Sequence, residues 1–228
     1  MRPQTRRQIH MGINFVMVPS PTVNQATGLA FQNALIQQSI EFDQVNYGED
    51  NLKIVRGQPP LQIVVASPTN QSTGQLLIIG PHPARHLESF IQETEFIVEA
   101  FESVWTSQQR QIIKRDVTIR DLYETDQHAF QELWETRLGQ SEDSLAVFGR
   151  KVLGGGLRFV MPPEPGKPAQ IEVKIESYLK DTSKVFVETQ FTWPAPTPPD
   201  VSFEPRARLC EVDDYAKKEV IDFIRGEK

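Results

Sequence analysis

Cysteine is all but missing from this chain: Cys210 is the single one in 228 residues. One thiol excludes an internal disulfide, a zinc ribbon and a Cys-X-X-Cys redox pair, and it fits a reducing cytoplasm, the expected location. The acidic neighbour Glu211 works to raise the thiol pKa, so Cys210 is not read as a nucleophile. Histidine is scarce as well, at four residues. His82 and His86 stand four apart with Glu88 nearby, but His82 lies between two prolines and the glutamate is misplaced for a His-Glu-X-X-His helix. No metal site and no cofactor are expected. Long apolar runs are absent too: the longest are a few residues, as in Val16-Met17-Val18 and Leu76-Leu77-Ile78-Ile79, which excludes a membrane-spanning helix. Gly-X-Ser-X-Gly, Ser-X-X-Lys and the kinase motif set are all missing. Finally, basic charge is not in excess. The net charge of -6 argues for solubility and against a surface given over to nucleic acid.

What is present reads as an ordinary globular composition, 39% hydrophobic and 24% charged, in a chain long enough for one large domain or two small ones. Arg6 and Arg7 precede an apolar run, as in a targeting segment, but Asn14 breaks the run, Pro19 ends it and no small-residue cleavage site follows. Residues 1–10 are expected to form a flexible basic arm carrying Arg2, Arg6 and Arg7, with Met11 as an alternative start.

Periodicity then lays out the elements. Ile13–Val18 is a short apolar strand, and Thr22 with Gln25 reads as a capping box opening a helix that runs to about Ser39. From Glu41 the period changes to two. Segments around Val45, Asn51–Arg56, Leu61–Ala66 and Gln75–Ile79 form a meander of three or four antiparallel strands. A long helix from about Ala84 to Trp105 carries an apolar stripe through Leu87, Phe90, Ile91, Phe96 (with Ile97), Val98 and Phe101. Ile112–Tyr123 alternates over enough residues to be a strand. A helix through Ala129, Phe130, Leu133, Trp134 and Leu138 ends at Gly139. After it come a glycine-interrupted strand over Leu145–Met161, strands over Ala169–Leu179 and Val185–Trp193, a proline-rich connector Pro194–Pro205, and a final helix Asp213–Arg225. The class is α+β, with a curved antiparallel sheet packed against long helices. Both halves, 11–106 and 107–228, run strand, helix, strands, helix, so they are candidates for a pseudo-repeat, as two units or within one continuous domain.

The most unusual stretch is Phe148–Pro163, FGRKVLGGGLRFVMPP. Gly154, Gly155 and Gly156 admit close backbone approach, but the alternating Leu157–Met161 that follows is no helix start, and no Gly-Lys-Ser/Thr follows. The run is therefore read first as a sheet bend. Should the bend bring Arg150 and Arg158 to one concave surface, the two guanidiniums would read a phosphate or carboxylate, which makes Arg150, Gly154, Gly155, Gly156 and Arg158 the candidate ligand residues. Carboxylates cluster at Glu41/Asp43, Glu49/Asp50, Glu142/Asp143 and Glu211/Asp213/Asp214. The last set is placed at a helix N-terminus, where negative charge is favourable. The others read as solvated turns. Basic residues also gather at Arg110, Lys114, Arg115 and Arg120, diluted by Asp116.

The expected function is a non-enzymatic binding or assembly protein that meets a protein partner, or a second copy, through its sheet or a helix. A small-ligand or enzymatic domain with its pocket at Gly154–Gly156 is the alternative. Nucleic-acid binding through the basic arm ranks last, and no membrane contact is expected.

Overall fold

A computed structural model describes residues 1–68, 71–81, 86–106, 110–194 and 202–226. Alternation of apolar and polar residues makes nine strands: β1 (Arg7–Val18), β2 (Gln44–Tyr47), β3 (Asn51–Arg56), β4 (Leu61–Ala66), β5 (Gly74–Pro81), β6 (Gln111–Glu124), β7 (Gly156–Met161), β8 (Gln170–Ser177) and β9 (Lys184–Trp193). They form one antiparallel sheet in the order β2-β3-β4-β5-β1-β6-β9-β8-β7. In each half the last strand of the meander lies beside that half's first strand, β5 beside β1 and β9 beside β6. The two first strands pair along the centre, with Ile13 opposite Val117 and Gly12 opposite Thr118.

One face of this sheet is the core. Met11, Ile13, Phe15 and Met17 of β1 are buried together with Ile63 and Val65 of β4, Leu76 and Ile78 of β5, Val117 and Ile119 of β6, and Val187 and Phe191 of β9. The helices pack on that side. In the first half these are α1 (Gln25–Gln37) and α2 (Leu87–Val104). The α2 stripe expected from the sequence is there: Phe90, Ile91, Ile97 and Phe101 are fully buried, each worth about 1.5–3 kcal/mol over an exposed position. Phe31, Phe101, Trp105, Phe203 and Phe15 form a chain of ring contacts with centroids 4.9–6.4 Å apart. Trp105 is fixed by donating its indole N–H to the Thr22 carbonyl at 2.8 Å.

The second half has α3 (Ala129–Gln131), extended by a π-helical segment Glu132–Arg137, and α4 (Pro205–Tyr215). A second π-helical segment, Ala216–Val220, carries α4 into α5 (Ile221–Arg225).

Four expectations change. The cap of α1 is Asn24, whose side chain accepts from the Thr27 amide while Thr27 Oγ1 accepts from the Asn24 amide, both at 3.0 Å. Thr22 instead offers its carbonyl to Thr27 and Trp105. Residues 1–10 are not a free arm: Arg7–His10 belong to β1, and the preceding turn is tied to β6 through the Arg2 amide and Glu124 carbonyl at 2.8 Å. The final helix starts at Pro205, not Asp213, because proline at the first helical position loses no hydrogen bond and presets φ. The long strand over 145–161 shortens to β7. Glu142–Phe148 is a 3-10 turn and residues 149–155 are irregular, since a strand needs a neighbour and β8 reaches only Gly156–Met161. The start of the expected helix at Ala84 and most of the proline-rich connector, 195–201, lie outside the described residues.

Candidate functional site

The sheet's second face carries no helix among the described residues. Register lines up its side chains in rows. Across the second half Arg120, Glu188, Lys174 and Arg158 stand on β6, β9, β8 and β7, each opposite the next. They form a ladder of ion pairs with Glu172: Arg120 to Glu188 at 2.5 Å, Lys174 to Glu188 at 2.6 Å and to Glu172 at 3.2 Å, Arg158 to both Glu172 oxygens at 2.9 Å. Glu188 is pushed up by its half-buried position but held below its ordinary value by Lys174 and Arg120. In the next rows Asp116 accepts from Thr192 at 2.8 Å and from Asn14 at 3.3 Å, and pairs with Lys114 at 2.9 Å.

Across the first half the same face mixes aliphatic side chains with Lys53, Gln62, Gln75 and Asn14. Val64 stands opposite Leu77, Ile79 follows on β5, and Val55 and Val16 flank them. All five are partly exposed. Between the two regions Gly12 gives room to His10, whose Nε2 would lie 3.2 Å from a Cβ at that glycine. Burial, and then the neighbouring Arg120 charge, lowers the His10 pKa to about 4, so the ring is neutral at pH 7.

A second feature lies on the helix side. A cleft of about 820 Å³ is bounded by α3, the 3-10 turn and the loop after it. Phe130 and Trp134, one helical turn apart, form its aromatic wall with rings 5.9 Å apart and 18° from parallel. The Trp134 indole N–H donates to the Ser141 carbonyl at 3.2 Å. Glu135, Asp143, Arg150 and Lys151 supply charge, and Leu145, Val152 and Leu153 supply apolar surface. Val147 and Phe148 beside the cleft are 83% and 68% exposed.

A third feature is buried. One Arg6 guanidinium nitrogen lies 2.8 Å from both Asp121 Oδ2 and Asp213 Oδ1. Gln8 donates to Asp213 Oδ1 at 3.0 Å, and Lys217 reaches Asp213 Oδ2 at 2.5 Å. Burial raises the Asp121 pKa against the opposing pull of Arg6. Burial also raises Tyr123 beside it, with the Asp121 charge adding to the effect. For Arg6, burial works against the charge, yet Asp121 and the other neighbours more than offset it and raise the pKa.

The sequence candidates divide between these places. Arg150 lines the cleft, whereas Arg158 lies on the open sheet face in its ion pair; the two do not converge on one cavity. The glycines serve close approach. A Cβ on Gly156 would lie 2.1 Å from the Ile175 carbonyl oxygen, one on Gly154 2.5 Å from Leu179, and one on Gly155 3.1 Å from the Phe130 ring. Arg115 and Arg110 of the basic group turn inward and are buried, Arg115 donating to the Ser202 carbonyl and Arg110 stacking on Phe101 at 5.0 Å. Asp213, read as a helix-start carboxylate, is instead the buried partner of Arg6. The signal for it was Pro205, with Leu209, Val212 and Ala216 at helical spacing. His82, half of the histidine pair, lies outside the described residues. Cys210 has its pKa raised, by burial and then Asp214, as its acidic surroundings suggest. No group of three metal-ligating side chains occurs among the described residues, and no described helix is long and apolar enough to cross a membrane.

No protein-family model matches the chain, and no curated protein matches it in sequence. Among solved structures it is similar to the Trypanosoma brucei AdoMetDC-delta26 monomer, at 7% identity and a TM-score of 0.32, over 82% of this chain and 66% of that one. It is also similar to the T6SS immunity protein TplEi from Pseudomonas aeruginosa, in complex with an "L" peptide, at 9% identity and a TM-score of 0.22, over 93% of this chain and 98% of that one. Both likenesses are too slight to support a functional conclusion.

Proposed function

We propose that this chain is a binding and assembly protein whose contact surface is the helix-free face of its sheet, and that the partner seated there is a second copy. The observation that carries this reading is the apolar set Val16, Val55, Val64, Leu77 and Ile79 on that face. An antiparallel sheet with one face in water ordinarily alternates to polar residues there; here five aliphatics stand among Lys53, Gln62, Gln75 and Asn14.

The second copy is favoured by the charges alongside. Arg120, Glu188, Lys174, Glu172 and Arg158 alternate in sign along the chain of ion pairs, with Lys174 and Glu172 both on β8. Both signs are present on one patch, so a second copy turned about a two-fold axis can place carboxylates opposite cations. Size is sufficient: nine strands at about 4.8 Å spacing span about 38 Å, enough for the roughly 800 Å² per partner of a standard interface. The mirrored strand order of the halves further supports reading 11–106 and 107–228 as pseudo-repeats sharing this face.

Light scattering on the purified chain tests the proposal. A dimer is expected at about 10 μM, an affinity in the ordinary range for such interfaces. Leu77→Glu is expected to give a monomer whose melting temperature stays near wild type, because the residue faces away from the core. A wild-type monomer at that concentration, or a Leu77→Glu dimer, would overturn it; a stable complex with a different protein on the same face would reject the second copy as occupant.

A further inference from the structure

We propose that the 820 Å³ cleft beside α3 is a binding site for an aromatic zwitterion: an aromatic amino acid or a short peptide of the same character. The wall comes first. Phe130 and Trp134 present near-parallel rings, and the bond from the Trp134 indole to the Ser141 carbonyl fixes the outer ring's orientation. A ligand ring therefore meets a surface already arranged for it, which reduces the ordering cost of binding.

The loop opposite is shaped for the same purpose. Gly149, at φ 63°, turns the chain at the end of the 3-10 turn, and residues 149–153 then line the cleft. Gly155 closes the loop against the Phe130 ring, where a larger residue would have its Cβ 3.1 Å from Cε2. The glycine run thus holds the loop beside the aromatic wall while leaving the cleft open.

The polar lining defines the ligand's charge. Arg150 and Lys151 supply two cations, Glu135 and Asp143 two anions, and none of the four forms an ion pair with another described residue. A simple anion meets as much repulsion as attraction there. A molecule with one carboxylate and one ammonium satisfies both signs. His128 adds a donor: its Nδ1 accepts the Phe130 amide at 3.3 Å, which leaves Nε2 to donate towards the cleft. The cleft's volume of about 820 Å³ falls within the range of small-molecule sites.

Isothermal titration calorimetry on the full chain tests this with four probes: L-tryptophan, the dipeptide tryptophanyl-tryptophan, tryptamine and indole-3-propionate. At least one zwitterion is expected to bind with Kd below about 1 mM, and each singly charged analogue about fivefold more weakly, as loss of one solvent-exposed charge contact implies. Arg150→Ala is expected to weaken the zwitterion and indole-3-propionate about fivefold and to leave tryptamine unchanged. Analogues binding as tightly as the zwitterions, absence of binding by all four below about 1 mM, or an Arg150→Ala chain with wild-type affinity would each overturn the proposal. The analogue comparison needs no variant, so the outcome does not hang on Arg150→Ala folding.

Discussion

Arg6 meets Asp213 at 2.8 Å, joining the segment before β1 to the buried side of α4. The same nitrogen holds Asp121 on β6, so one cation neutralises two carboxylates that are each about 1% exposed. Arg6→Ala strands Asp121 in the core, while Asp213 keeps Lys217 and Gln8. A loss of about 3–5 kcal/mol is expected, the usual cost of removing one partner of a buried pair. Urea unfolding followed by circular dichroism measures it, and a shift under about 1 kcal/mol would show that the Asp121 charge relaxes into solvent.

The His10 ring gives the protein a pH dependence of known sign. Its folded pKa, about 4, lies below its ordinary 6.5, so between those values the unfolded chain binds the proton more readily. Stability is therefore complete above pH 6.5 and falls as the pH drops towards 4. Partial exposure reduces the full linkage value to about 2 kcal/mol. His10→Gln keeps a neutral polar side chain and is expected to flatten this part of the curve. Melting temperatures from pH 7 to 4 for both proteins decide the matter, an unchanged slope in the variant being the contrary result.

Gly156 and Gly139 offer a comparison between two reasons for glycine. At Gly156 the obstacle is backbone, the Ile175 carbonyl 2.1 Å from where an added methyl would sit, and the β7–β8 pairing must open to admit it. Gly156→Ala is expected to cost about 2–4 kcal/mol. Gly139 has φ 63° and nothing within 4 Å, so Gly139→Ala costs only the left-handed conformation, about 1–2 kcal/mol. Chemical denaturation ranks the two, and the reverse order would contradict the steric account.

Arg56 and Glu93 form a second buried pair, with two parallel bonds of 2.7 and 2.9 Å, while Arg56 Nε donates to the Pro59 carbonyl at 2.7 Å. Either Arg56→Met or Glu93→Leu alone is expected to cost about 3–5 kcal/mol. The double change Arg56→Met with Glu93→Leu is expected to return within about 1 kcal/mol of wild type, since it removes the desolvation of both charges. A thermal-melt cycle over the four proteins gives the coupling directly.

Alternation makes β6 legible, because Val117, Ile119 and Asp121 share a face that a one-residue slip would turn to water. The α2 stripe is legible for the corresponding helical reason. Val147, Phe148, Val152 and Leu153 imitate the strand signal without a neighbouring strand to pair with. Alternation is local, whereas pairing is not, and so the strand expected over 145–161 is too long. The cleft that this segment borders depends on α3 and the loop meeting across space, which no spacing encodes. Asp213 misleads for a nearer reason: acidic residues at 211, 213 and 214 resemble a helix start, and only the burial of one of them by Arg6 distinguishes it.

The central pairing of β1 with β6 sets an order of events during synthesis. The first half supplies all of β2-β3-β4-β5-β1, yet β1 then stands at the rim with its second row of amides and carbonyls open until Gln111–Glu124 has left the ribosome. Arg6 waits longer, because Asp213 follows far downstream. The nascent chain therefore carries an adhesive border until β6 emerges, and chaperone dependence or aggregation of truncated chains should concentrate in fragments ending before Gln111.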